Sequence, residues 1–239
     1  MSICAFIPLR AGGSRVGLIN GLDKERALLG GKPLMAWTIE SAVNSRVFDA
    51  VFAVVASEAH AAMAAKYGAQ IIKRPDYTVR AGSPDTEWVE FVLKRLRQEG
   101  ALPDAFAILR VTSPFRAAKH IKEARDLFLG TLGVDSLRSA RRAETHPGKM
   151  WVIRQERLLP LLPMGPEKQP WHSSATQGLF ECWVQTAGME FAWSDRVLET
   201  HTIAGSTIVP YILEGAAALD INTLSDWRAA EEVIRNVKM

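Results

Sequence analysis

Cysteine is scarce: the 239 residues hold only Cys4 and Cys182. No Cys/His spacing matches a zinc site, which excludes a metal-knit mini-fold. The two could form one bridge, but each lies in an apolar stretch, so two buried free thiols in a reducing compartment are expected. Long hydrophobic runs are also missing. The longest, AVFAVVA at 50–56, falls far short of the roughly 20 residues a membrane helix needs, so no membrane partner is expected. MSICAFIPLR at the start has no basic residue before its short apolar run, which argues against a secretory leader and for a cytoplasmic protein. Charge of one sign is not concentrated anywhere. Lys and Arg number 29 and Asp and Glu 26, a net charge of +3 with a pI near 8.9. With no Lys/Arg block, no nucleic-acid partner is expected; a basic pocket for a small anion fits the same balance. Hydrophobic residues at 48% and charged residues at 23% exclude disorder and coiled coil for the whole chain.

What is present is an alternation. Ile3–Pro8 reads as a buried strand entering a Gly-rich loop. Pro33–Ser45 has helical spacing, with Pro33 at a first helical position. Ala50–Ala56 is continuous and β-branched, as in a strand covered on both faces. Ser57 caps a helix that ends at Gly68. Ala69–Ile72, Ala105–Leu109 and Val134–Ala140 read as strands. Helices are expected from Ser83-Pro84, with Ser83 as cap, to Gly100, and over Ala118–Leu129. The pattern predicts an α/β fold: a mostly parallel, doubly wound, Rossmann-like sheet with ligands at the C-terminal strand ends. Over 144–193 the rhythm breaks, with Pro147, Pro160, Pro163, Pro166 and Pro170 among Trp151, Trp171, Trp183 and Trp193. This reads as a β/loop insertion in a single 1–239 domain, exposing apolar surface for a homodimer. Packing of each tryptophan on the sheet is the alternative. Ser206–Leu213 is a further strand, and Thr223–Val237 closes the chain as an amphipathic helix.

IPLRAGGSR at 7–15, with Lys24 beyond it, puts two glycines, a hydroxyl and three cations after the first strand. Glycines let main-chain N–H groups approach phosphate oxygens, and cations offset a polyphosphate's charge. The loop is neither a Walker A motif nor GxGxxG. Far downstream, Asp220 and Asn222 stand two apart. On a strand both would face one way and meet one hard cation such as magnesium. The alternative is that Asn222 or Thr223 caps the last helix, with Asp226 completing a capping box. Ser14, Thr112 and Ser113 have no His/Asp relay, and His60, His120 and His201 do not gather in sequence, so a serine hydrolase is not expected.

These segments resemble the acylneuraminate cytidylyltransferases, with CMP-Kdo synthetases as cousins. That family opens on I-P-A-R, a Gly/Ser turn and a basic residue, then Lys-Asn and a G-K-P segment. Here they read IPLRAGGSR, Lys24 and GGKPLMAWTI at 30–39, with Glu25 in place of Asn. Lys73-Arg74-Pro75, LRVTSPFR at 109–116, HPGKMW at 146–151 and ALDINTLSDW at 218–227 continue the match in order. The resemblance implies a nucleotide-diphospho-sugar transferase fold and a nucleotidyltransferase. Such an enzyme moves CMP from CTP to the anomeric hydroxyl of an acidic sugar, nonulosonic or Kdo-like, releases pyrophosphate and uses Mg2+. It implies nucleotide binding by Leu9, Arg10, Gly12, Gly13, Ser14, Arg15, Lys24, Arg74 and Thr86. Arg10, Lys24 and Asp220 are the implied catalytic residues, and Asp220 and Asn222 the metal ligands. On the acceptor side, TQGLFECWVQTAG at 176–188 has Thr176 where the family has an arginine. Arg110, Thr112, Gln177 and Gln185 are the acceptor candidates, with Arg110 as the replacement cation, because Thr cannot grip a carboxylate bidentately. Two alternatives stay open: CMP transfer to another acceptor such as a phosphonate, and a CTP-binding subunit without catalysis.

Overall fold

The computed structural model describes residues 1–10, 16–80 and 82–237. Gly12, Gly13, Ser14 and Arg15 therefore lie outside the described residues. The chain divides into two compact units, Met1–Ser139 with Thr186–Met239, and Ala140–Gln185.

The elements run β1 (Ile3–Leu9), β2 (Leu28–Leu29), β3 (Lys32–Pro33), α1 (Leu34–Ser45), β4 (Ala50–Val55), α2 (Glu58–Lys66) and β5 (Gln70–Lys73). They continue α3 (Asp85–Gln98), β6 (Ala105–Ile108), α4 (Ala118–Gly130), β7 (Ser136–Arg142), β8 (Trp151–Arg154) and β9 (Arg157–Pro160). The chain closes with β10 (Trp183–Trp193), α5 (Ser194–Thr200), β11 (Ile208–Ile212) and α6 (Leu224–Val237).

Seven strands form one sheet in the order β11-β7-β10-β6-β1-β4-β5. β6, β1, β4 and β5 are parallel, and β10 runs antiparallel to β6. From β1 the chain builds outward through β4 and β5, then returns to lay β6 on the other side of β1. The order thus reverses between β1 and β6, the crevice where open α/β sheets bind ligands. Alternation along β1 divides the core. Ile3, Ala5, Ile7 and Leu9 pack with Leu34 and Ile39 of α1, Phe128 of α4 and Trp227 of α6. Cys4 and Phe6 pack with Trp88, Val92 and Leu96 of α3. Burial, with Asp49 beside it, pushes the Cys4 thiol up to about 11. Both cysteines are unpaired, but Cys182 is only half-buried, unlike the expectation from its apolar neighbours.

Four local readings change. Pro33 is not the first residue of α1 but the residue before it, with extended ψ of 142°. Ser83 does not cap α3: Pro84 holds that position, and the Ser83 hydroxyl donates to the Tyr77 carbonyl at 3.1 Å. Asp220 and Asn222 are not on a strand, since a 3-10 turn over Gly215–Ala218 precedes them and α6 follows. The sequence reading places 183–193 inside the β/loop insertion, yet residues 190–193 of β10 pair with β6 in the middle of the main sheet.

The smaller unit contains the β8–β9 hairpin, closed through Gln155 and Glu156, both at positive φ (+48° and +61°) as a tight twisted turn requires. His146, Trp171 and Phe180 meet edge to face, with centroids 5.0–6.0 Å apart. The Lys149 ammonium donates to the carbonyls of His172 and Ser174. Ile153, Leu158, Met164 and Phe180 present apolar surface to solvent.

Candidate functional site

Arg10 follows the last residue of β1, and Arg110 lies two residues past β6, so both stand at the C-terminal rim of the switch point. Asp85 opens α3, where the helix dipole favours an anion. It accepts from the Trp88 indole N–H at 2.7 Å and pairs with Arg10 at 3.5 Å and with Arg110. The other arm of Arg110 meets Glu190 of β10, which also holds Arg138 of β7 at 3.2 Å. Glu190 is placed there because it sits opposite Ile108 in the β10–β6 register. Three arginines thus share two carboxylates along the rim. Burial by itself raises the Asp85 carboxyl, but Arg110, the Trp88 N–H and Arg10 outweigh it and hold it below the ordinary range. Burial opposes the Arg110 charge, and Glu190 and Asp85 reverse that and raise it.

Behind this row, Arg116 is wholly buried, and burial pulls its guanidinium down to about 9. It donates to the Gly188 carbonyl and, at 3.4 Å, to that of Arg110, bracing the rim from below. Gly188 leaves little room for a side chain: a Cβ there would stand 2.6 Å from Leu213 Cδ1 and 3.0 Å from the Ser139 hydroxyl, so those side chains would have to shift.

Arg74, just past β5, is buried and packs over the Trp88 ring at 5.6 Å. Its Nε donates to Thr78 Oγ1 at 3.0 Å and its Nη2 to the Thr78 carbonyl, while the buried Nη1 has no partner among the described residues. Burial, then the neighbouring Arg10 charge, brings this guanidinium down to about 10. Thr86 lies half-buried in the first turn of α3.

A second group forms where three loops meet. Lys24 is buried, and its ammonium donates to the Ile221 carbonyl at 3.0 Å. The Ile221 amide donates to the Thr112 carbonyl at 2.8 Å. Asp220 and Asn222, on either side of Ile221, contact each other through Asn222 Nδ2 and Asp220 Oδ2 at 2.7 Å. Asp220 Oδ1 and Thr112 Oγ1 are buried and have no hydrogen-bond partner among the described residues. Thr223 and Asp226 form a reciprocal capping box at the start of α6: the Thr223 amide donates to Asp226 Oδ2 at 2.7 Å and the Asp226 amide to Thr223 Oγ1 at 3.2 Å. The helix cap is therefore built from Thr223 and Asp226, and Asp220 is not consumed by it.

The structure thus gathers Arg10, Arg74, Thr86 and Arg110 around the α3 N-terminus, and Lys24, Thr112, Asp220 and Asn222 around Ile221. Leu9 is wholly buried, so it offers no surface to a ligand in this conformation, unlike the expectation. Arg110 holds two carboxylates, where the sequence reading expects a cation open to a substrate acid. Gln177 and Gln185 are exposed, Gln177 in a 3-10 turn and Gln185 on β10. Asp85, Glu190 and Arg138 are rim residues that sequence reasoning missed. The only local signal is Asp85 in the first turn of a helix that follows a Ser-Pro pair.

The fold defines the class. The chain has the α/β architecture of the solved CMP:2-keto-3-deoxy-manno-octonic acid synthetase complexed with CTP, with a TM-score of 0.70 at 12% identity over 99% of this chain and 100% of that one. No protein-family model matches the chain. Sequence comparison points the same way: the chain is similar to acylneuraminate cytidylyltransferases, as its motifs imply. It is 36% identical to the N-acylneuraminate cytidylyltransferase of Escherichia coli over 126 residues, 53% of this chain and 28% of that protein. It is 25% identical to the pseudaminic acid cytidylyltransferase of Campylobacter jejuni over 97% of this chain and 95% of that protein. The match to the Escherichia coli protein spans under a third of that protein's length. No helix among the described residues is long and apolar enough to cross a membrane.

Proposed function

We propose that this protein transfers CMP from CTP to the anomeric hydroxyl of an acidic sugar of the nonulosonic or Kdo type, in the cytoplasm and as a homodimer. One observation carries the reading: Lys24 and Thr112 both bond Ile221, the residue between Asp220 and Asn222, at the rim that also carries Arg10. The acceptor oxygen attacks the α-phosphorus, the bond to the β-phosphate breaks, and pyrophosphate leaves. Little covalent work falls to the protein, so positioning and charge stabilisation dominate. Arg10 and Lys24 offset the triphosphate charge, and Gly12, Gly13, Ser14 and Arg15 add main-chain and cationic contacts. Arg74 and Thr86 bind on the nucleoside side, where the spare Nη1 of Arg74 is a donor for a base or ribose oxygen.

Asp220 and Asn222 suit a hard cation, and the buried Asp220 Oδ1, without a hydrogen-bond partner among the described residues, is the oxygen such a site needs. When bound there, Mg2+ supplies charge neutralisation at phosphate oxygens. The apolar surface of Ile153, Leu158, Met164 and Phe180 supports dimerisation through the smaller unit. Two unpaired thiols suit a reducing compartment.

A second reading keeps the chemistry and changes the acceptor to a phosphonate or another hydroxy acid. Its motive is that Thr176 stands at the family's arginine and Arg110 already holds Asp85 and Glu190. The test is pyrophosphate release from CTP, UTP, ATP and GTP with Mg2+, against nonulosonic acids, Kdo and hydroxyphosphonates. Release with CTP and one sugar acid is the expected result. Release only with a phosphonate selects the second reading, and CTP binding without release from any acceptor selects a non-catalytic subunit.

A further inference from the structure

The residues flanking Lys24 form a cluster that the transfer reaction does not use. Asp23 and Glu25 lie in the turn leading to β2, and His60 lies in the first turn of α2. One ligand atom from each falls within 4.8 Å of the other two. His60 is 1% exposed and Asp23 8% exposed, so two of the three donors are withdrawn from bulk water. Glu25 stands where the resembled family has Asn, and it supplies the third.

The surroundings orient these donors. Ser57 Oγ contacts His60 Nδ1 at 2.6 Å, which leaves Nε2 turned toward Asp23 Oδ1 at 3.2 Å. A histidine whose remote nitrogen is fixed by an oxygen and whose other nitrogen faces carboxylates has the arrangement of a metal-ligating imidazole. Arg26 also holds Asp23, its Nε on Oδ2 at 2.6 Å and its amide on Oδ1 at 3.1 Å, so the carboxylate is fixed in place. Around the neutral imidazole the two carboxylates are met by the charges of Arg26, Lys24 and Arg10, so the ligand chemistry of the donors, not net charge, recommends the site. One nitrogen and two carboxylate oxygens suit zinc, manganese, cobalt or ferrous iron; magnesium and calcium favour all-oxygen sets.

The geometry points to a binding site for one transition-type divalent cation formed by Asp23, Glu25 and His60, separate from the Asp220 corner. A cation there would tie the turn that carries Lys24 to α2. The test is titration of the full chain with Co2+ in the absence of nucleotide, read by its visible ligand-field bands. The expected result is one equivalent bound per chain with a band that shows nitrogen ligation. Glu25→Gln should weaken binding at least about tenfold, His60→Gln should abolish the band, and Asp220→Asn should leave it unchanged. Glu25 is half-exposed and its variant keeps the side-chain volume, so it tests the site even if His60→Gln fails to fold. The inference is overturned if the native chain takes up no stoichiometric Co2+. It is also overturned if Glu25→Gln binds as the native chain does, or if Asp220→Asn alone removes the band.

Discussion

Glu190→Gln tests whether the rim is held by charge. The Glu190 carboxylate is 3% exposed and receives both Arg110 and Arg138. Gln keeps the shape and one carbonyl oxygen but removes the charge that two guanidinium groups share. Breaking a fully buried ion pair costs roughly 3–5 kcal/mol, because the remaining charge is left without a partner. Two features lower that figure here. The arginine side chains are 25% and 26% exposed, so water recovers part of the loss, and Arg110 keeps Asp85. A cost of about 2–3 kcal/mol follows, which for a chain of this length lowers Tm by roughly 5–10 °C. Denaturant unfolding should show a lower midpoint with an unchanged slope. In a double-mutant cycle with Arg110→Met, the two changes should couple by about 1–2 kcal/mol, because Gln no longer faces an unpaired guanidinium. A loss below about 0.5 kcal/mol, or strict additivity with Arg110→Met, would refute the reasoning.

Lys24→Ala should reduce CTP-dependent pyrophosphate release by about 100-fold or more while circular dichroism shows the fold kept; a loss below about threefold would remove Lys24 from the chemistry. Asp85 titrates below the ordinary carboxylate range, so its stabilisation is complete above roughly pH 4 and drains away as pH falls through the lowered folded value. The stability gap between the native chain and Asp85→Asn should therefore be constant from pH 7 to 5 and narrow by pH 3, and a gap that stays constant to pH 3 contradicts the ion pairing. Gly188→Ala should cost about 1–3 kcal/mol in thermal unfolding, because its Cβ enters the space of Leu213 and Ser139; an unchanged Tm would mean that strand shifts freely.

Local chemistry was legible from the residues because each signal is complete within one turn or one strand. Ser57 caps α2 as its position before an alanine-rich helix indicates, with the hydroxyl accepting from the His60 amide. Thr223 and Asp226 make the capping box their spacing allows, and the apolar run at 50–55 becomes β4, covered on both faces. The strand–helix alternation fixed the fold class, because hydrophobic periodicity reports burial element by element. Ion pairing across the rim has no such signature. Arg110 meets Asp85 from 25 residues away, which needs the α3 N-terminus beside the end of β6, and Glu190 from 80 away, which needs β10 beside β6. A histidine that reads as isolated in sequence comes to face Asp23 and Glu25 only when α2 and the Lys24 turn are brought together. Sequence by itself determined the strand–helix alternation of the first 140 residues and the caps at Ser57 and Thr223–Asp226. The tertiary structure alone decided which charges neutralise one another, because sheet order is set by non-local packing that no single segment encodes.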